Sequence, residues 1–250
     1  MAEIIDLKSL IEKFLNDESK GNKEALFKKG IDGEPLEDLK NAKIYNEFSL
    51  QHELGIFLRD EIIKLDPNFK VQFERNVKDF YSDIRYDDKL LEDGDFVKHE
   101  MDIVIFKDFE ENSEKYAIEL KFPTNGAYPK RMYQFIEDIQ FMEENWRKLK
   151  FKKTYCLALI FDKAEGYLFR EWGKNSGKKS DNPIYQFFRG ESKPDLGPRD
   201  FTNKHKIDKT THEFQKLKVI GSYPIKWIPI GSTGYHYYLI EIPNDSKITI

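Results

Sequence analysis

Residues 100–123 read EMDIVIFKDFEENSEKYAIELKFP, which is two apolar segments separated by a charged turn. The segments 100–106 and 116–123 are short and rich in β-branched and aromatic residues, and this predicts two buried strands. Three charged residues, Asp102, Glu119 and Lys121, lie inside these otherwise apolar segments. A buried charge is costly unless it is paired or binds a metal ion, so the two strands indicate a functional site.

The spacing of these charges places them on shared faces of the two strands. Glu119 and Lys121 are two residues apart and therefore project from one face, while Ile118 and Leu120 project from the other. If the strands pair across the turn at 107–115, Asp102 approaches Glu119. A hard divalent ion such as Mg²⁺ binds through one or two carboxylates plus substrate phosphate and lowers the pKa of a bound water. A nearby lysine holds that water and offsets negative charge, so the group suits phosphodiester hydrolysis.

The elements around this pair predict an α/β fold. Residues 43–65 place apolar side chains at helical spacing, and Asp66-Pro67 ends that helix because proline disfavours helical geometry at the preceding residue. Residues 69–77 alternate apolar and polar side chains, which predicts a strand. A second helix is predicted at 129–149 and another buried strand at 154–162. The order is helix, three strands, helix, strand, which is typical of a mixed central sheet flanked by helices.

Both ends of the chain predict additions to this core. Residues 5–16 have helical spacing, residues 167–172 follow as a hairpin partner of the preceding strand, and residues 173–211 read as a long loop or an inserted module. Three terminal strands are expected at 214–223, 225–230 and 235–242. The predicted organisation is an N-terminal helical extension at 1–42, a core at 43–162, and a basic loop with C-terminal β-rich strands packed on the core at 163–250.

Asp102, followed after a turn by Glu119-Leu120-Lys121, resembles the PD-(D/E)XK signature of restriction enzymes and related nucleases. Met101 stands where the signature has proline, a position at which the motif is often degenerate. The resemblance covers residues 43–162 and includes the order of the elements. It implies a restriction-endonuclease-like core in which Asp102 and Glu119 hold the metal, the Leu120 carbonyl adds a ligand and Lys121 serves the water.

The resemblance also implies an acidic residue from the helix before the strands. Glu47 shares a stripe with Gln51 and Leu54 on the predicted helix, because their spacings are four and three, and it is the favoured candidate. Glu53 lies on another face and stays open as the alternative. On the helix at 129–149, Gln134 and Asp138 are four residues apart beside the apolar stripe, where they line the cleft or form an ordinary polar face.

The distribution of charge favours a polyanionic partner. The chain has a net charge of −4, but residues 147–218 contain 18 Lys or Arg against 9 Asp or Glu. A basic surface of this kind binds phosphates, although a solvated lysine-rich face is the plainer interpretation. The residues expected to contact nucleic acid are Lys130, Arg131, Lys150, Lys152 and Lys153.

The sequence therefore predicts a Mg²⁺-dependent nuclease, with Mn²⁺ expected to substitute. The resemblance favours a DNA endonuclease of restriction or defence type that acts on double-stranded DNA as a homodimer. The chain has one cysteine, Cys156, and it has neither an apolar stretch long enough to span a membrane nor a signal peptide. These features predict a cytoplasmic protein. Two alternatives stay open: an inactive nucleic-acid-binding or regulatory module on the same fold, and an interaction protein whose Glu-x-Lys is a surface accident.

Overall fold

The structure is a computed structural model that describes residues 5–16, 43–80, 100–108, 113–123, 128–161, 183–188, 199–202, 216–223 and 225–243. A short 3₁₀ turn at Val77–Phe80 follows the first strand. The helices are α1 (Leu7–Asn16), α2 (Glu47–Leu65), α3 (Tyr128–Leu149) and α4 (Pro183–Phe188). The strands are β1 (Lys70–Asn76), β2 (Glu100–Phe106), β3 (Lys115–Lys121), β4 (Lys153–Phe161), β5 (Arg199–Thr202), β6 (Lys216–Val219), β7 (Ile228–Pro229) and β8 (Tyr235–Ile242).

Six strands form one mixed sheet in the order β1-β2-β3-β4-β8-β7. Strands β1, β2 and β3 are antiparallel neighbours, whereas β3 and β4 run parallel and are connected through α3. A parallel connection needs a crossover element, and the helical spacing at 129–149 supplies it. The prediction of an α/β fold with a mixed central sheet flanked by helices is confirmed.

Helices cover both faces of this sheet. Ile103, Ile105 and Ile118 pack with α1 and α2, while Val104 and Ala117 pack with α3. Strands that are buried on both faces read as continuous apolar runs, and this explains the composition of β2 and β3. No helix in the described ranges is both long and apolar enough to cross a membrane.

Helix α2 begins at Glu47, four residues later than the apolar spacing predicts. Asn46 is the N-cap: its side chain accepts the Ser49 N–H at 2.8 Å, and the Ser49 hydroxyl accepts the Asn46 N–H at 3.0 Å. This reciprocal capping satisfies two N–H groups that have no partner within the helix. The cap places Glu47 in the first turn, next to the end of β3.

The C-terminal strands divide between two sheets. The predicted strand at 235–242 is β8 and pairs with β4 over eight residue pairs. Within 214–223 the structure has β6, which pairs with β5 in a separate two-stranded sheet, and 225–230 contributes only the two residues of β7. Residues 173–211 contain α4 and β5, which a continuous loop would not have. Residues 17–42 of the predicted N-terminal extension and the predicted hairpin partner at 167–172 lie outside the described residues.

Candidate active site

Asp102 and Glu119 meet where β2 and β3 separate. The ladder between these strands pairs Ile103 with Ile118. One residue further along β2, the Asp102 N–H donates to Glu119 Oε1 at 3.3 Å. The Leu120 N–H donates to Asp102 Oδ2 at 2.7 Å. Each carboxylate therefore accepts a backbone N–H from the opposite strand, and the two acidic side chains converge between the strands.

Glu119 and Lys121 lie on the α3 face of the sheet. In the parallel ladder Glu119 is opposite Cys156 and Lys121 is opposite Ala158, and both of these partners belong to the core beneath α3. Only 1% of Glu119 is exposed. Glu119 is therefore a carboxylate within the molecule rather than a charge on a solvated strand face.

The Lys121 ammonium lies among oxygen atoms from three elements. Its Nζ is 3.2 Å from the Leu120 carbonyl oxygen, 3.1 Å from Asp138 Oδ2 on α3 and 3.7 Å from Glu47 Oε1 on α2. Glu47 also accepts the Phe122 N–H through Oε2 at 3.0 Å. The end of β3 is thus held between the two helices that flank the sheet.

The other two predicted helix residues do not join this group. Glu53 makes no hydrogen bond or ion pair with another described residue. The Gln134 side chain accepts the Arg131 Nη1 hydrogen bond at 3.0 Å in an exposed position. Of the acidic and polar residues proposed from the two helices, Glu47 and Asp138 are the ones that contact Lys121.

The basic residues near the start of β4 lie away from the motif. In the parallel ladder between β3 and β4, Lys153 lies opposite Tyr116, whereas Lys121 lies opposite Ala158. Lys153 is therefore five residues along β4 from the position next to Lys121. At the rise of a strand this separation is about 16 Å.

These lysines also have local acidic partners. Lys152 pairs with Glu114 at 3.0 Å and Lys153 pairs with Glu241 at 3.1 Å. Lys150 is exposed, and the side chain of Lys130 lies outside the described residues. Phosphate contact by this group stays a prediction, and it requires a nucleic acid that extends well beyond the carboxylates.

Two residues at the site were not singled out from the sequence. The buried Gln51 side chain on α2 donates through Nε2 to the Asp102 carbonyl oxygen at 2.7 Å and to Glu74 Oε1 at 2.6 Å. Glu74 lies between the paired positions Phe73 and Arg75 of β1, and its φ of 50° is unusual for a residue with a side chain. The stripe that Gln51 shares with Glu47 was the available signal, whereas nothing in the sequence marks the backbone of Glu74.

The α3 side of the site is apolar. Tyr238 lies opposite Ala158 in the ladder between β4 and β8, and its ring contacts Phe135, Phe188 and Trp227. Burial raises the pKa of Tyr238 well above its usual range, and the neighbouring Cys156 and Asp138 raise it further. Charges on this side lie among buried aromatic rings, so they interact more strongly than they would in solvent.

The oxygen donors fit a hard divalent ion. Within the described ranges, no group of three or more His, Cys, Asp or Glu residues is placed to hold a metal. Mg²⁺ does not need such a group, because it keeps several waters and uses one or two carboxylates with substrate phosphate. The Asp102 and Glu119 carboxylates and the Leu120 carbonyl supply three oxygen donors of the suitable kind.

In comparisons with known proteins, no protein-family model, no curated protein and no solved structure matches the chain.

Proposed function

We propose that the protein is a Mg²⁺-dependent nuclease with a restriction-endonuclease-like core. The observation that supports this most strongly is the convergence of Asp102 and Glu119, each bonded to the backbone of the other's strand. The ammonium of Lys121 lies two residues along from Glu119, on the same face. Phosphodiester hydrolysis needs this combination of anionic oxygen ligands and a cationic group beside the reacting water.

The topology supports the same proposal. Helix α2, three antiparallel strands, the crossover helix α3 and the parallel strand β4 follow one another in the order that the PD-(D/E)XK resemblance implies. The motif residues lie on the two central strands of this unit. Fold alone does not carry function, so the proposal depends on the site.

Each residue has a distinct task in this proposal. Asp102, Glu119 and the Leu120 carbonyl hold the metal. When bound, Mg²⁺ polarises the scissile phosphate and lowers the pKa of water. Lys121 orients the attacking water and offsets negative charge on the phosphate. Glu47 fixes the end of β3 through the Phe122 N–H, and its other oxygen lies 3.7 Å from the Lys121 ammonium.

The substrate class follows from the resemblance and from the basic segment at 147–218. We infer double-stranded DNA as the substrate, cleaved by a homodimer, with a role in restriction or defence. Cleavage of both strands of a duplex uses two such sites, and a dimer supplies them. A protein that is monomeric in light scattering, with and without DNA, would remove the homodimer from this proposal.

The test is cleavage of plasmid and of single-stranded DNA with Mg²⁺ or Mn²⁺. The unmutated protein should cleave, and a chelator should abolish cleavage. Asp102→Ala and Lys121→Ala should each lower the rate by about 10²- to 10⁴-fold, the range for a positioned proton-transfer or charge-stabilising group. Glu144→Gln is the matched control, because Glu144 lies on α3 away from the motif, paired with Lys148, and its loss should leave the rate unchanged.

Each alternative function predicts a different result in this assay. DNA binding without cleavage by the unmutated protein would favour an inactive nucleic-acid-binding module and contradict the proposal. Neither binding nor cleavage would favour an interaction protein in which the motif has no catalytic role.

A further inference from the structure

Asp138 is a buried carboxylate within an apolar part of α3. Only 5% of the residue is exposed, and its neighbours include the buried Tyr238. Taking a carboxylate out of water costs several kcal/mol unless a partner offsets that cost. The ammonium of Lys121 lies 3.1 Å from Asp138 Oδ2 and offsets its charge as an ion pair, without the geometry of a hydrogen bond.

A contribution to folding stability does not by itself explain why Asp138 and Lys121 form a buried ion pair. Buried ion pairs are often no more stabilising than apolar residues of similar volume, so packing of α3 on the sheet alone would be served as well by two apolar residues in place of Asp138 and Lys121. The pair does fix the position of a flexible side chain. Lysine has four rotatable methylene links, and its ammonium is directed only by the groups that it contacts.

The two acidic contacts of Lys121 differ in distance and exposure. Asp138 is the nearer one, and 8% of its side chain is exposed, whereas the Glu47 carboxylate is 3.7 Å away and 41% of its side chain is exposed. Without Asp138, the ammonium would be drawn towards the exposed Glu47 and solvent, away from the α3 face on which Glu119 lies.

We propose that Asp138 is a positioning residue that holds the Lys121 ammonium beside the Asp102–Glu119 pair. This inference rests on the proposed nuclease function, since it assigns Asp138 a part in the same reaction. Asp138 acts through Lys121 and does not itself touch the substrate.

The experiment is a double-mutant cycle in the rate of DNA cleavage. Asp138→Asn should lower kcat by about 10- to 100-fold, the usual effect of removing a group that orients a catalytic one, with KM changed less than about twofold. In a Lys121→Met background the same substitution should change kcat less than about twofold, because the residue that Asp138 positions is gone. Glu144→Gln, which removes another carboxylate from α3, should change kcat in neither background.

A conservative variant separates positioning from packing. Asp138→Glu keeps the charge and should recover part of the kcat lost in Asp138→Asn, with rates corrected for the folded fraction measured by thermal unfolding. If Asp138→Asn does not fold, the cycle is run with Asp138→Glu, whose effect should likewise vanish in the Lys121→Met background.

Two results would overturn the inference while leaving the nuclease proposal intact: an unchanged kcat in Asp138→Asn, or an equal loss with and without Lys121. An unmutated protein that does not cleave DNA would instead remove the nuclease proposal, and the role of Asp138 with it.

Discussion

At the scale of single residues, the amide of Gln51 joins the helix α2 to the strand that carries Asp102. One nitrogen of this buried side chain serves both the Asp102 carbonyl and the Glu74 carboxylate. Because Glu74 lies on β1 next to Asp102 of β2, the amide fixes the backbone from which the Asp102 carboxylate projects.

We predict that Gln51→Leu weakens both stability and activity. A buried carbonyl that loses its donor costs about 1–3 kcal/mol, so urea denaturation should show a loss of this size in the free energy of unfolding. Cleavage should fall further than the folded fraction explains, because Asp102 is displaced. Gln140→Leu is the matched control: Gln140 accepts the Lys218 N–H at 2.8 Å on the far side of α3, so its loss should affect stability alone. Equal activity of the two variants would contradict the role assigned to Gln51.

The residues of the site differed in how far the sequence could predict them. Asp102, Glu119 and Lys121 stand out because a charge within an apolar strand is costly, and their spacing gives the shared face. Glu74 could not be found, since its position depends on a left-handed backbone within β1 that no residue type there requires. The contact of Asp138 with Lys121 depends on how α3 lies across the sheet, which helical spacing does not fix.

At the scale of elements, α1 and α2 are joined by a charged contact above an aromatic one. Lys13 of α1 pairs with Glu61 of α2 at 2.7 Å, and Lys64 pairs with the same carboxylate at 2.6 Å. Below them the rings of Phe14 and Phe57 lie 5.4 Å apart. Hydrogen bonds from Lys13 and Lys64 lower the pKa of Glu61 from its usual 4.5 to about 2.

We predict that this contact stabilises the fold above the usual pKa of Glu61 and ceases to do so in acid. Because the folded pKa is lowered, the contribution is complete above 4.5 and is lost as the pH falls towards about 2. The difference in unfolding free energy between the unmutated protein and Glu61→Gln should stay below about 1 kcal/mol near neutral pH, since the pair is close to solvent. Urea denaturation at several pH values measures this difference.

The control for this prediction is Asp60→Asn, which removes the adjacent carboxylate. Asp60 has no hydrogen bond or ion pair with another described residue, so this variant should follow the unmutated protein across the pH range. A stability difference for Glu61→Gln that is constant from neutral pH to about pH 3 would contradict the account.

Elements with strong periodicity were predicted well, and so was the pairing of the neighbouring strands β2 and β3, whereas the pairing of distant strands was not. The bounds of β2 and β8 match the predicted strands because apolar residues fill most of their positions. The start of α2 was placed too early because the Asn46 cap interrupts an apolar pattern that continues before it. The pairing of β6 with β5 is a contact between distant segments, which local pattern does not determine.

At the scale of the whole molecule, the central sheet draws on both ends of the chain. Strand β8 pairs with β4 from Thr154 to Phe161, so residues beyond 162 complete the sheet on which the site is built. Helix α1 packs with α2 on the face of the sheet opposite α3, through Leu7, Ile11 and Leu15, none of which is exposed. Burial of three such side chains contributes about 5–9 kcal/mol, which is comparable with the 5–15 kcal/mol by which a typical domain is stable.

We therefore predict that the fragment 43–162 does not fold cooperatively. Without β8, the strand β4 has an unpaired edge, and without α1 the apolar face of α2 is open to solvent. Thermal unfolding followed by circular dichroism should show a broad transition or aggregation, compared with a single sharp transition in the full chain. A fragment that melts sharply at the temperature of the full chain would contradict this view of the sheet.

The central claim is that the carboxylates of Asp102 and Glu119 hold one divalent cation. It is tested most directly by soaking crystals of the protein in Mn²⁺ and measuring anomalous diffraction at the manganese edge. One strong peak bonded to oxygens of both carboxylates is expected, and it should be absent from crystals of Asp102→Ala. A map with no peak between these side chains, or with Mn²⁺ bound only elsewhere, would contradict the claim.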